Sequence, residues 1–218
     1  VRAEQAITLA HEERHASLTL AEELRHSSDA LTRLARAYTV TGNPTFKDLY
    51  QTILDIREGN QPRPGQFADI AWDLASAGQA MPPATGPGVP LLELVRQSGV
   101  TEAEYRLLEA AKVASDALTA QEFQAMALME TDGPDPEADH KAARDLLFNA
   151  RYLQAKAEIL GLIQAFVTRL DQRTAERVRA AVDQAALLRA VHIACALSLI
   201  LMLGLTWAAL RQVLGASP

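Results

Sequence analysis

This chain of 218 residues has one cysteine, few aromatic residues and no excess of positive charge. The single cysteine, Cys195, excludes an intramolecular disulfide and a zinc site built from cysteines. Aromatic residues make up 5%, which is low for strands that pack into a β-sandwich or a barrel. A net charge of -6 does not supply the basic surface of a nucleic-acid-binding protein, so we expect no nucleic-acid partner.

Lysine, arginine, aspartate and glutamate are absent from one long stretch, residues 190–210, which Arg189 and Arg211 bracket. A run of about 20 apolar residues is the length that crosses a bilayer as a helix. Trp207 lies near one end of the run, where interfacial aromatic residues are favoured. A core helix of this length usually carries a polar face, so the run predicts a transmembrane helix over residues 189–211.

The two ends of the sequence suggest that more protein lies on either side. Val1 is not an initiator methionine. Pro218 follows only a few residues after the apolar run. We therefore expect the chain to be part of a larger membrane protein, with a helical domain at residues 1–188 before the span.

Proline and glycine are also absent from residues 1–41, where Leu24, Leu31 and Tyr38 recur every seven residues. This spacing predicts one long helix with an apolar seam of the coiled-coil type. Gly42 and Pro44 predict its end. Apolar periodicity also predicts helices at about residues 45–58, 101–131 and 137–148, and a last helix that begins near Asn149 and continues into the apolar run.

Most of the prolines lie between about residues 59 and 100, where the helical pattern breaks. This insertion, rich in proline and glycine, has room for two short helices, one around Trp72 and one after Pro90. Thr101 and Glu104 form a capping box that begins the next helix. Together these features predict an all-α fold, an elongated four-helix-bundle-like domain whose last helix continues into a transmembrane helix.

One pentapeptide, Ser-Asp-Ala-Leu-Thr, occurs twice, at residues 28–32 and 115–119. Both copies place their leucine on an apolar seam, but little matches on either side of them. A duplication and the similar packing needs of two facing helices therefore explain the repeat equally well.

His11 and His15 match the HExxH pattern of zinc metallopeptidases, which places two imidazoles on one helix face. The extended form of that pattern fails, because Leu18 and Ala21 stand where it needs glycine and histidine. We interpret the match as a solvated helix face and predict no metal site. The rival hypothesis is a zinc peptidase that uses these two histidines.

Charged residues on the first long helix are the first candidates for a ligand site. Asp29, Arg33 and Arg36 share one helix face, opposite the leucine seam. They form either a solvent-facing ladder of salt bridges or a ligand or dimer surface. Such a surface could take an organic acid, because guanidinium groups bind carboxylates through paired hydrogen bonds. Asp116, in the second copy of the repeat, allows the same two interpretations.

Trp72 and Asp73 lie within the insertion, with Arg57 and Arg63 a short way before them. An aromatic face beside charged groups is typical of a small-molecule pocket. Alternatively, Trp72 and Phe67 pin the insertion onto the bundle. The candidate ligand-binding residues are therefore Asp29, Arg33, Arg36, Arg57, Trp72, Asp73 and Asp116.

Catalytic patterns are missing from the sequence. It contains no nucleophile–base arrangement, no glycine-rich phosphate loop and no cluster of metal ligands. We therefore predict that the chain is not an enzyme and that it has no catalytic residues and no cofactor.

Several ordered blocks of residues carry a family resemblance. They are residues 28–38, Thr41-Gly42, residues 53–59, Pro62-Arg63-Pro64, Trp72-Asp73-Leu74, residues 115–118, Tyr152, Lys156 and Arg173-Thr174. With the membrane span that follows them, these blocks resemble the extracytoplasmic sensor domains of bacterial transmembrane receptors, above all methyl-accepting chemotaxis proteins. Similar sensors occur on hybrid histidine kinases and diguanylate cyclases. The resemblance covers most of the chain.

The resemblance implies a ligand-sensing helical bundle on the outer, periplasmic side of a bacterial inner membrane. A further membrane helix would lie upstream, and residues 212–218 would begin a HAMP-type relay. The expected partners are a small-molecule ligand or a periplasmic binding protein, and a second copy in a homodimer. A chemotaxis receptor is the first expectation. The alternatives are a histidine kinase or diguanylate cyclase sensor, and a membrane-anchored helical adaptor that binds only a protein.

Overall fold

A computed structural model of the chain describes residues 2–64, 69–80, 83–84, 86–131 and 134–215. These residues form seven α-helices and no strand, apart from an isolated antiparallel bridge between Pro64 and Ala84. The all-α prediction is therefore confirmed. The helices are α1 Arg2–Thr41, α2 Pro44–Glu58, α3 Asp69–Ser76, α4 Leu91–Gln97, α5 Glu102–Leu128, α6 Pro136–Phe148 and α7 Ala150–Gly215.

The helix ends follow local chemistry. The side chain of Asn43 caps α2 by accepting a hydrogen bond from the Thr45 amide. Pro44 is the first residue of α2, a position where proline is favoured because its missing N–H would have no partner in the helix. The predicted capping box at the start of α5 is confirmed, with Thr101 and Glu104 each bonding the other's backbone amide. Helix α5 ends at Leu128 rather than at Thr131.

The chain divides into two compact units. One unit comprises Glu12–Gln172 and contains α2 to α6 with most of α1 and the first part of α7. The other comprises the described residues of Val1–His11 and Arg173–Pro218. Its buried side chains include Ala10, Thr174 and Ala181.

The core of the larger unit brings together residues from all seven helices. The predicted seam of α1 is confirmed, because Leu24, Leu31 and Tyr38 are buried there. The first part of α7 buries one residue in every turn or two. Those α7 residues are Tyr152, Ile159, Ile163, Phe166 and Leu170.

Among the residues that the structure describes, one helical stretch is long and apolar enough to cross a membrane. Pro136–Trp207 contains an 18-residue window with a mean hydropathy of 2.2, and none of that window is buried. Large apolar side chains are exposed along this part of α7, from Leu197 to Trp207. A surface of this size is costly in water, which makes α7 a candidate membrane-spanning helix.

The connection after α2 approaches another backbone segment very closely. Gly59 ends α2 with a φ of 79°, and a β-carbon placed on it would lie 2.6 Å from the nitrogen of Pro90. A β-carbon on Gly88 would lie 2.2 Å from the carbonyl oxygen of Gly59. Glycine is required at both positions, because any side chain would push the two segments apart.

We expect Gly59→Ala to lower the free energy of unfolding by about 2–4 kcal/mol, since it combines a left-handed backbone with a clash. The matched control is Gly161→Ala within α7, where a β-carbon meets nothing within 4 Å. That change should stabilise the chain by up to about 1 kcal/mol through helix propensity. Urea unfolding of the full chain measures both values, and equal effects would contradict the close approach at Gly59.

Candidate functional site

A buried carboxylate lies where four helices meet. Glu122 of α5 is 2% exposed. Its Oε2 accepts a hydrogen bond of 2.8 Å from the Tyr50 hydroxyl of α2. Its Oε1 accepts a bond from the Tyr152 hydroxyl of α7 and one of 3.1 Å from the Thr32 hydroxyl of α1. One side chain thus links α1, α2, α5 and α7, and we call this cluster the polar centre.

The electrostatics of the polar centre are dominated by burial. Loss of water raises the pKa of Glu122, although the bonds from Tyr152, Tyr50 and Thr32 and the charge of Lys156 act in the opposite direction. Burial and the neighbouring carboxylate also raise the pKa values of Tyr50 and Tyr152. Both tyrosines therefore remain protonated hydrogen-bond donors throughout the physiological pH range.

Beside the polar centre, the first copy of the repeat binds a cation from α7. Lys156 Nζ lies 2.7 Å from Asp29 Oδ1 and donates a hydrogen bond of 3.1 Å to Ser28 Oγ. Arg25, one turn before Asp29, contacts the same carboxylate at 3.4 Å. Thr32 completes the group through its 2.9 Å contact with the Tyr152 hydroxyl.

The second copy binds a cation from α2 in the same way. Arg57, 2% exposed, donates from Nη1 to Ser115 Oγ at 2.9 Å and from Nη2 to Asp116 Oδ1 at 2.8 Å. Lys112, one turn before Asp116, contacts that carboxylate at 2.8 Å and also pairs with Glu58. The Nε of Arg57 has no hydrogen-bond partner among the described residues.

The two copies of the pentapeptide therefore have the same role. Each serine and aspartate holds a cation from a neighbouring helix. Each threonine hydroxyl, of Thr32 and Thr119, hydrogen-bonds the backbone carbonyl one turn earlier. The hydroxyl of Thr32 also partly offsets the rise in the pKa of Tyr152, and that of Thr119 does the same for Tyr50. The repetition extends beyond the five residues to Arg25 and Lys112 and reflects matched packing of α1 and α5.

Arg36 joins α1 to the end of α6 and the start of α7. Its Nη2 and Nε donate to the Leu147 carbonyl at 2.7 and 3.2 Å. Its guanidinium carbon lies 4.4 Å from the centre of the Phe148 ring and 5.2 Å from that of Tyr152. These contacts hold a half-buried cation against the last turn of α6 and the first turn of α7.

The structure separates the seven predicted ligand-binding residues into groups. Arg57 and Asp116 form one ion pair, while Asp29 and Arg36 each contact the segment around the start of α7. The side chain of Asp73 lies outside the described residues. Of the remaining two, Arg33 is exposed and Trp72 is 2% exposed.

Trp72 belongs to the core of the larger unit. Close to it in sequence, Arg63 pairs with Glu23 of α1 at 2.8 Å, and this glutamate is 8% exposed. Phe67 lies outside the described residues. The burial of Trp72 favours the interpretation that it pins the segment after α2 onto the helices, since no ring face is left for a ligand.

Sequence reasoning missed Glu122, the centre of the arrangement. A signal existed, because Glu122 is an acidic residue on the buried face of α5 between Leu118 and Ala125. Tyr50 and Tyr152 lie on the buried faces of α2 and α7. A buried carboxylate and buried tyrosines each require a hydrogen-bond partner, which would have predicted that they meet.

Metal ligands do not converge in the part of the chain that the structure describes. No three histidine, cysteine, aspartate or glutamate side chains come together there. His11 and His15 lie on α1 without a third ligand among those residues.

An open groove runs between α5 and α7 within the larger unit. Its volume is about 850 Å³. The floor consists of small and apolar side chains, and the rim carries charged and amide groups. The floor residues are Ala110, Val113, Ala114, Ala117, Leu118, Ala155 and Leu162, and the rim residues are Arg106, Glu109, Gln121, Arg151 and Glu158.

Comparison with known proteins identifies no relative. No protein-family model matches the chain, no curated protein is significantly similar in sequence, and no solved structure is significantly similar in fold.

The raised pKa of Glu122 makes stability depend on pH with a definite sign. Above the ordinary value of 4.5, the folded chain retains a proton that the unfolded chain has lost. The contribution of Glu122 to the free energy of unfolding therefore falls as the pH rises from about 4.5 to the raised pKa. We expect Glu122→Gln to remove this fall, which urea unfolding of both proteins across that pH range measures.

The matched control is Glu130→Gln. Hydrogen bonds from Lys47 and Tyr38 lower the pKa of Glu130, so its contribution is present above 4.5 and is lost as the pH falls through the lowered value. With the titration extended below pH 4.5, the free energies of unfolding of the two variants should differ from the wild type with opposite slopes, above 4.5 for Glu122→Gln and below 4.5 for Glu130→Gln. If the free energy of unfolding depended on pH in the same way in both variants, burial would not be the cause of the raised pKa of Glu122.

Proposed function

We propose that this chain is the ligand-sensing part of a bacterial membrane receptor, built as a helical bundle that signals through α7. The observation that carries the proposal is that α7 contains both Tyr152 and Lys156, which bind the polar centre and Asp29, and the apolar candidate span. Helix α7 extends without a break from Ala150 to Gly215. A change in its polar contacts would therefore be passed along one helix.

The bundle of this proposal consists of α1, α2, α5 and the first part of α7. Glu122 contacts residues of α1, α2 and α7, and the two copies of the repeat connect α1 with α7 and α5 with α2. Residues 59–100 would then be an insertion in the four-helix arrangement. The buried Trp72, Leu91 and Val95 support this, because the segment docks through a few large side chains.

The sensing step in this proposal acts on the start of α7. Arg36 and Asp29 are half-buried, and both bind groups at or near the first turns of α7. An organic acid that binds Arg36 would compete with the Leu147 carbonyl, because a carboxylate is the stronger acceptor for a guanidinium. The ligand would thereby change the population of two α7 positions.

The resemblance in sequence adds the wider context of the proposal. It favours a chemotaxis-type receptor with the bundle outside the inner membrane and with a second copy in a homodimer. A histidine kinase or diguanylate cyclase sensor would use the same helices in the same way. No step of this function requires catalysis.

The membrane anchor is tested first. We expect the full chain to remain in bacterial membranes after an alkaline carbonate wash, because its apolar window has a mean hydropathy of 2.2. The double change Ile200→Arg and Leu203→Arg should release it, since each arginine near the bilayer centre costs about 2.5–3.5 kcal/mol. Leu187→Arg is the control outside the span and should stay bound. Release of the wild type would refute the anchor.

Direct sensing is tested with the full chain in lipid nanodiscs. We expect one class among amino acids, dicarboxylic acids and polyamines to raise the melting temperature, because a ligand that binds only the folded state stabilises it. Arg36→Ala should remove that shift and Lys141→Ala, on the exposed face of α6, should keep it. If no compound produces a shift, the adaptor alternative is favoured over direct sensing.

Transmission along α7 is tested in the same nanodiscs with the compound found. Hydrogen exchange should report a compound-dependent change in the backbone amides beyond residue 183. Asp183→Pro should abolish this change while it leaves the shift in melting temperature intact, because proline interrupts the helix. Asp183→Ala should leave both signals intact. Survival of the exchange change in Asp183→Pro would contradict transmission through a continuous helix.

A further inference from the structure

We infer that the groove between α5 and α7 is a docking surface for an amphipathic helix of another polypeptide. The occupant has an apolar ridge of small and medium side chains. It carries one acidic residue that faces Arg151 and one basic residue, two turns away, that faces Glu158.

The register that aligns Ser28 with Ser115 also aligns two helix faces that differ in exposure. On α1, Glu23, Ser27, Ala30 and Leu34 are all buried. Their α5 counterparts are Ala110, Ala114, Ala117 and Gln121, and these are exposed or only partly buried. The chain covers this face on one helix and leaves it uncovered on the other.

On α1, part of the matching face is covered by the segment after α2. Arg63 of that segment donates a hydrogen bond to Glu23. The counterpart of Glu23 on α5 is Ala110, which lines the groove. No described segment of the chain fills the groove, so the uncovered apolar face of α5 is available to a partner.

The dimensions of the groove fit a helix better than a metabolite. It follows α5 from Arg106 to Gln121, which is about 22 Å at 1.5 Å per residue. Alanines at positions 110, 114 and 117 allow another helix to approach closely, since interaxial distances fall to about 8 Å when contact residues are small. A helix of about four turns would fill this length.

Two charges define what the helix must carry. Arg151 and Glu158 are exposed on the α7 side of the groove and make no hydrogen bond or ion pair with any described residue. They are seven residues apart, so both project from the same face of α7. Opposite charges at the same spacing on a partner helix would pair with both of them.

A second copy of this chain does not meet that requirement. Two copies anchored in one bilayer run in the same direction, a step that rests on the proposed membrane anchor. A twofold interface through the groove would then bring Arg151 against Arg151 and Glu158 against Glu158. The charges are therefore complementary to a different polypeptide.

The test uses designed helical peptides of about 21 residues and the full chain in nanodiscs. Each peptide has the same alanine and leucine ridge and two charged residues seven positions apart. A peptide with one glutamate and one lysine can pair with both Arg151 and Glu158, whichever order the two residues have. The order decides only in which of the two directions the peptide helix lies along the groove. Peptides with two glutamates or two lysines should bind about fivefold more weakly, as expected from one lost ion pair.

Charge reversal should change the preference in a defined way. Arg151→Glu places two acidic groups, at positions 151 and 158, on the α7 side of the groove, so the peptide with two lysines should become the tightest. Glu158→Arg should select the peptide with two glutamates. These gains of binding require folded protein, so misfolding does not imitate them. Fluorescence anisotropy of labelled peptides measures each affinity.

A blocking variant locates the site. Ala117→Trp fills the groove and should abolish binding, whereas Ala120→Trp, exposed on the same helix but outside the groove, should not. Equal binding of all peptides, or equal effects of the two tryptophans, would overturn the inference. So would a dimer that Ala117→Trp dissociates, because a second copy would then be the occupant. Failure of these tests leaves the carbonate and nanodisc results unaffected, so the two proposals are judged separately.

Discussion

Burying a carboxylate in a helical core costs several kcal/mol unless hydrogen-bond donors replace the lost water. Glu122 meets this requirement with hydroxyl groups from α1, α2 and α7. Those three helices must therefore reach α5 at one level, with Tyr50 and Tyr152 pointing at the same carboxylate. Apolar contacts alone would tolerate small sliding of one helix past another, because they have little directionality. The polar centre fixes the register that the leucine seams leave open.

The two copies of the repeat extend this constraint to either side of the centre. Asp29 and Asp116 each hold a cation from a different helix, so α7 is bound to α1 as α2 is bound to α5. The symmetry ends at the centre itself, where Ala35 of α1 aligns with Glu122. A second carboxylate there would repel the first in a low dielectric. A single acid that serves two tyrosines is the arrangement that avoids this repulsion.

Much of the fold was predictable from local patterns, but the site was not. Prolines, glycines and capping residues mark the ends of α1, α2 and α5, and the spacing of Leu24 and Leu31 identifies a buried face. The same spacing shows that Asp29 and Arg36 share a face without showing what packs against it. Their partners, Lys156 and the Leu147 carbonyl, lie more than 100 residues away in sequence. Only the tertiary arrangement of the helices reveals such pairs.

These contacts give α7 two unlike segments within the larger unit. Tyr152 and Lys156 are held by directional bonds to Glu122 and Asp29, whereas Ile159, Phe166 and Leu170 are held by packing. A rotation of α7 would break both polar contacts together, because donors four residues apart lie on one helix face. The apolar side chains further along α7 could then repack only in a few distinct positions of the helix, since close-packed side chains resist continuous deformation. A helix bound in this way is suited to switching between two positions, which is the behaviour that the proposed sensor requires of it.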